Sequence, residues 1–227
     1  MKGRTIRKLL PLWLVFVVLT LNSCFGLAAD ITMNRDGSGK ISLEYRISRA
    51  AEAIGRLDGN ERWQIIPAGR ADFERTLARI PDMRLVSFST REEPSPKTGD
   101  RDIVNKVELE FKNTEALLAF LDPSGKRAVL VREGDKNRLS INLNEGVSPQ
   151  ANADLLDLLR QVSDGYELEI SFSTAGDSAL ALSDSRGNAI QPPDGSRVVL
   201  SGKKVSLKMG TGQVIGLRQG LAAHFLW

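Results

Sequence analysis

The stretch whose spacing comes nearest to metal chemistry is Asn34-Arg35-Asp36-Gly37-Ser38-Gly39-Lys40-Ile41. Asn34, Asp36, Ser38, Gly39 and Ile41 fall at positions 1, 3, 5, 6 and 8 of a helix-flanked calcium loop. Such a loop puts oxygen ligands at alternate positions, Gly at the turn and a bidentate Glu at position 12. Position 12 here is Tyr45, and Glu44 comes one residue early. From Ile41 onward the chain alternates as a strand does, so the stretch reads as a hairpin tip in which Asp36-Gly37 supplies positive φ. No metal is expected there. His224 is the only histidine. It has no cysteine partner for a metal and no Gly-x-Ser-x-Gly elbow to serve. It reads as a surface or end-strand residue, and only a cleft gathering Asp, Ser and His224 would point to a hydrolase. Glu108/Glu110 and Glu167/Glu169 are each two apart. Strand geometry puts both members of a pair on one face, either as a two-carboxylate site or, as the intervening apolar residues favour, as a solvated outer face.

Lys97-Thr98-Gly99 and Ser201-x-x-Lys204 repeat two motifs of serine β-lactamases and penicillin-binding proteins. In those enzymes Ser-x-x-Lys opens a helix early and Lys-Thr-Gly comes late on a strand. Here the order is reversed and both lie in turn-like sequence. Asp122 to Arg127 lacks the spacing of a phosphate loop and reads as a turn between a helix and a strand. Trp63 lines an opening or caps the core, and Trp227, after Phe225, can pack back on a sheet. No catalytic residue, metal ligand or cofactor site emerges, and ligand-contacting residues are not legible. The expectation is a protein that acts by binding, not an enzyme.

One residue carries a chemical expectation of a different kind. Cys24 is the sole cysteine of the 227 residues. Before it stand a basic head (Lys2, Arg4, Arg7, Lys8) and an almost wholly apolar run from Leu9 to Leu21. That is the order of a secretory signal, and the run is shorter than the ~20 residues of a membrane-spanning helix. Leu21-Asn22-Ser23-Cys24 resembles a bacterial lipobox, although Asn22 stands where Ala, Thr or Ser is usual. The resemblance implies a signal peptide over 1–23, diacylglycerol on the Cys24 thiol, cleavage before Cys24 and acylation of the new amino group. Two other readings compete: cleavage after Gly26-Leu27-Ala28 by an ordinary signal peptidase, or an incidental thiol. Several acyl chains, at ~0.8 kcal/mol per buried CH₂, hold a protein on a bilayer where one does so marginally. The partner expected from this is the bacterial membrane itself, through lipid on Cys24, with the domain facing the periplasm or the surface of the cell envelope. Four of the 31 Lys and Arg residues lie in the leader and none of the 28 Asp and Glu do, so the remainder carries a net charge of −1. Nothing in that balance points to nucleic acid or a polybasic membrane patch. The 203 residues after Cys24 contain no cysteine, so their core must hold without disulfides.

The elements alternate. Ile41, Leu43, Tyr45 and Ile47 fall on one face with polar residues between them, which marks a half-buried strand. The same period picks out 107–111, 139–143, 166–172 and 205–209, with weaker strands over 83–89, 128–132 and 198–200. Phe73, Leu77 and Ile80 have helical spacing that Pro81 stops. Asn113 or Thr114 caps a helix carrying Leu117, Leu118 and Leu121. Ser148-Pro149 opens another, with Leu155, Leu158, Leu159 and Val162 on one face and Gly165 at its exit. A fourth is expected from Ala50 to Leu57. The fold class these imply is α+β: a mixed or antiparallel sheet packed by about four helices, one soluble domain over 24–227 after the signal peptide. A boundary near Gly165 would leave a small β-rich subdomain over 166–227.

The stretch from Leu21 to Ser48 resembles the start of the LppM-type bacterial lipoproteins: a lipobox, a short strand, an Asn-x-Asp-Gly-Ser-Gly turn carried by Asn34 to Gly39, and an alternating strand. The resemblance implies an α/β domain held outside the membrane that binds lipid or an envelope glycolipid. It implies no catalysis and no ligand-site residues. A membrane-anchored envelope lipoprotein that binds lipid or another hydrophobic ligand is the leading expectation, and an assembly or scaffold protein that binds another envelope protein is the alternative. An apolar cavity between sheet and helices would favour the first, and a flat apolar patch rimmed by polar residues the second.

Overall fold

The computed structural model describes residues 25–48, 69–96, 99–146, 157, 160, 161 and 163–227. The leader, Cys24, Trp63, the helix expected from Ala50 to Leu57 and most of the one after Ser148 lie outside them. Asp157, Arg160, Gln161 and Ser163 are helical, as the latter expectation requires.

Strands form where the alternation places them. In chain order the elements are β1 (Phe25–Met33), β2 (Gly39–Ser48), α1 (Arg70–Leu77), β3 (Met83–Pro94), β4 (Arg101–Phe111), α2 (Thr114–Leu121) and β5 (Ala128–Glu133). They continue with β6 (Lys136–Asn144), β7 (Glu167–Thr174), β8 (Ala179–Ser183), β9 (Arg197–Ser201), β10 (Lys204–Gly210), α3 (Thr211–Gly216) and β11 (Leu221–Leu226). Sheet A has seven strands in the order β3-β4-β2-β1-β7-β10-β9, and sheet B has four in the order β5-β6-β11-β8. All neighbours are antiparallel except β1 and β7.

The expected α+β arrangement is therefore corrected to a mostly-β one. Among the described residues three helices stand against eleven strands, and where helices alone were expected to cover one face of the sheet, a second sheet covers part of it. The physical reason is that alternation says which side chains turn inward but not which strand lies alongside. The strands after Gly165 also do not stand apart, since β7 joins β1 and β11 joins β6.

The inner face of sheet A is a set of apolar rows. One runs Leu85, Leu109, Ile41, Ile31, Phe172, Val205 and Leu200 across all seven strands. Its middle members are buried. Helix α1 covers one half of the face, with the Phe73 ring 6.1 Å from Tyr45 and 5.8 Å from Phe88. Sheet B approaches near the middle, with Phe225 and Trp227 5.3 and 4.9 Å from Phe172. Helix α2 starts as expected: the Asn113 side chain accepts a bond from the Ala116 N–H at 2.9 Å.

Candidate functional site

The Asn34–Gly39 stretch is the tip of the β1–β2 hairpin. Asp36 accepts from the Ser38 N–H at 3.0 Å and the Ser38 hydroxyl at 2.6 Å, and Asn34 donates to the same hydroxyl at 3.0 Å. The Ser38 bonds hold the Asp36 carboxyl below its usual range. Gly37 has φ +83°, and Tyr45 is buried within β2. The polar groups are turned on one another. Among the described residues no group of three acidic, His or Cys side chains gathers as a metal site would.

His224 lies on the outer face of sheet B, in a row with Ser140 of β6 and beside Ser183 of β8. Nδ1 is 2.8 Å from the Ser140 hydroxyl and Nε2 is 2.8 Å from that of Ser183. Ser183 donates to the Asp184 carbonyl at 3.2 Å, so its oxygen is left to accept from Nε2–H, and Ser140 donates to Nδ1. Burial and the nearby Arg138 charge lower the ring's pKa against the opposing pull of Glu133. A serine triad needs a carboxylate on the imidazole nitrogen away from the nucleophile. Here a second serine holds that place, so the geometry is that of a neutral ring stitching three strands.

The remaining motifs separate. Lys97 and Thr98 lie outside the described residues, and Gly99 sits in a turn with φ +71°. Ser201 and Lys204 close the β9–β10 hairpin, with Lys204 bound to Asp30. Asp122, buried after α2, accepts from the Ser124 N–H at 3.0 Å, the Ser124 hydroxyl at 2.5 Å, the Arg127 N–H, and the Ala128 N–H at 3.0 Å. Burial pushes its pKa up, but these bonds prevail and hold the carboxyl well below the ordinary range. It organises the turn. The acid pairs sit on the outer face of sheet A: Glu110 is bridged to Arg84 and Lys40, Glu167 to Lys208, and Glu108 is exposed.

The most enclosed polar cluster was not legible in the sequence, because its members come from four separate strands and loops. The Tyr166 hydroxyl lies 3.1 and 3.2 Å from the two oxygens of Asp102, which is fully buried. Arg46 approaches the same carboxylate at 3.6 Å, donates to the Pro94 carbonyl at 2.9 Å and binds Glu93. These charges are mutually satisfied, which suits a clamp on the end of sheet A where β1 begins.

Apolar exposure concentrates elsewhere, on β9. Among the described residues this strand ends sheet A and is paired on one side only, with β10. Val198, Val199 and Leu200 are 36, 49 and 65% exposed. Leu200 and Val198 continue the inner rows past the cover of sheet B, so the core's apolar surface runs out to the edge. Arg197 and Lys203 bracket them, exposed and without an ion pair among the described residues. The opposite edge, β3, differs. It carries a bulge between Leu85 and Ser87, the charges Arg84, Arg91, Glu92 and Glu93, and Pro94. Those are the devices that keep an edge from pairing; β9 has one arginine at its end. Three apolar residues in succession, Val198-Val199-Leu200, break the alternation and were the available signal for this surface.

Among the described residues the inner face is closely filled. Leu43, Tyr45, Leu109, Phe111 and Ile170 are all buried within the core. Two open clefts lie at the ends of the sheets instead. One, of about 760 Å³, is lined by glycines 195, 210, 212 and 216 with Arg160 and Gln213. The other, of about 510 Å³, lies beside Arg35, Asp36, Asp135, Asn137 and Trp227.

No family model matches the chain, and no curated protein matches it. The resemblance to LppM-type lipoproteins accordingly rests on the residues that carry it, Leu21 to Ser48, and the functional argument on the geometry of the edge.

Proposed function

We propose that the protein is a lipid-anchored binding domain of a bacterial cell envelope, and that it meets another envelope protein at the free edge of sheet A. The observation that carries this reading is β9: an unguarded edge strand whose Val199 and Leu200 are 49 and 65% exposed between Arg197 and Lys203, neither of which has an ion pair among the described residues. A lone exposed apolar residue needs no explanation, but a contiguous patch with a polar rim has the form of an interaction site. A lipid held between sheet and helices would need a void of a few hundred Å³, and among the described residues the inner face is packed with buried side chains such as Tyr45, Leu109, Phe111 and Ile170.

Support for the anchor comes from β1. Its first residue, Phe25, follows Cys24 directly and pairs with Ile47, while Leu27 and Ala28 lie between β2 and β7. Cleavage after Ala28 would remove four of the nine residues of this interior strand. Cleavage before Cys24 keeps all of them and places the lipid at the end of β1.

Two measurements test the reading. Labelled palmitate should enter the wild-type chain and not Cys24→Ser. A photo-crosslinking residue at position 200, in intact cells, should give a discrete protein adduct that is missing from position 129, where exposed Val129 lies on sheet B. Stoichiometric lipid retained by the purified protein, with no adduct from position 200, would overturn the protein-partner reading.

A further inference from the structure

Resting on the reading above, we infer that the occupant of β9 is an extended, acid-flanked segment of another protein, added to sheet A as an eighth strand antiparallel to β9. An unpaired strand edge presents a row of backbone N–H and C=O groups, and another strand's backbone is the complement to that row. The hairpin fixes which groups are free. Gly202 (φ +60°) and Lys203 form a two-residue turn between Ser201 and Lys204, with glycine at the first central position as a II′ turn requires. Such a turn closes on a hydrogen-bonded pair, and these pairs alternate along the ladder. Ser201, Val199 and Arg197 therefore bond to β10, and Val198 and Leu200 turn their N–H and C=O outward.

Side chains set the rest. Val198 and Leu200 share the inner face, so residues opposite them must be apolar to extend the rows that begin at Phe172. Arg197 lies on the outer face at one end, and Lys203 at the turn; both call for carboxylates.

A second copy of this chain fits less well. Antiparallel self-pairing centred on Val199 would run the two β1 strands in opposite directions, so the Cys24 anchors would leave from opposite ends of the joined sheet, away from a common bilayer. Parallel self-pairing would bring Arg197 beside Arg197 and Lys203 beside Lys203.

The probe is the fluorescent peptide Glu-Thr-Ile-Thr-Ile-Glu, titrated against the full chain in detergent. Saturable binding is expected. N-methylation of both Ile residues, whose N–H groups face β9, should weaken it at least tenfold, whereas N-methylation of the middle Thr, which faces away, should change it less than twofold. Arg197→Glu should weaken this peptide and strengthen one with Lys at both ends, with melting unchanged. Equal loss from both methylations, or no binding, would overturn strand addition. If position 200 still crosslinks in cells while the peptides fail, the patch reading stands and only the added strand falls; if both are silent, both fall.

Discussion

At the scale of single residues, two positions carry consequences that their types alone do not suggest. Gly39 opens β2 with an ordinary backbone, yet a Cβ there would sit 2.1 Å from the Thr32 carbonyl oxygen and 2.5 Å from the Phe111 ring. Neither can retreat without moving the sheet. Gly39→Ala should therefore cost about 1–3 kcal/mol or more, the range for overpacking a filled site, read as a lowered urea midpoint. Addition of calcium should leave that midpoint unchanged in wild type and in Asp36→Ala, since the Asp36 carboxylate is already turned on Ser38. His224 predicts a pH dependence. Burial first, and the Arg138 charge second, lower its folded-state pKa. The unfolded chain, with an ordinary histidine near 6.5, takes up the proton first as pH falls. By linkage, stability is fully present above about 6.5 and declines from there down to the lowered native value. In urea titrations the wild type should lose stability between pH 7 and 5.5. His224→Gln, which keeps a donor and an acceptor for Ser140 and Ser183, should flatten that slope, and an unchanged slope would assign the effect to other groups.

Elements show what the alternation of residue types can and cannot convey. The strands over 41–47, 107–111, 139–143, 166–172 and 205–209 were legible because apolar and polar residues alternate in each, even in β7, where Ser171 on the polar side is buried too, and both α1 and α2 followed from spacing and a stop or cap. Sheet B was not. Leu221, Ala223 and Phe225 of β11 alternate cleanly, but the small Ala222 and the lone His224 between them make the run look like an end piece. Residues 179–183 of β8 follow a Ser- and Gly-containing stretch and alternate Ala with Leu, not apolar with polar, so they do not mark a half-buried strand. Neither strand declares its partner, and it is the pairing β5-β6-β11-β8 that turns an expected helical cover into a second sheet. The candidate edge was half legible: 198–200 read as a weak strand, but its position at the end of sheet A depends on β10 lying next to β7. The joint between the sheets is the Phe172 ring, against Phe225 and Trp227. Phe172→Ala should cost about 3–5 kcal/mol. Leu200→Asp, on the exposed edge, should stay within about 0.5 kcal/mol in the same urea titrations while abolishing the position-specific contacts of β9. A large stability loss at Leu200 would mean that β9 serves the core and not a partner.

On the scale of the whole molecule, the direction of β1 decides how the domain would stand on a membrane under the proposed anchor at Cys24. Strands β1 and β7 run parallel, so Phe25 and Glu167 mark one end of sheet A, together with Gly210 of β10 and the Asp102–Arg46 clamp. Met33, Thr174 and Lys204 mark the other. At ~3.3 Å per residue, the nine residues of β1 separate the two ends by roughly 25–30 Å. The proposed anchor on Cys24 would thus set the clamp end at the bilayer and lift the β9–β10 turn away from it, leaving the edge of β9 along the flank of the domain for a segment approaching from the side. A fluorophore placed on Lys203→Cys in the lipidated protein should be quenched weakly by nitroxide-labelled lipid headgroups, and one on Glu167→Cys strongly. Under the proposed lipidation the native thiol at Cys24 is blocked, so each variant carries a single labelling site. Both labels should become equally insensitive when Cys24→Ser removes the anchor. Equal quenching at positions 203 and 167 in the anchored protein would mean that the sheet lies flat on the membrane, with one face occluded, and would remove the geometry on which lateral access to β9 depends.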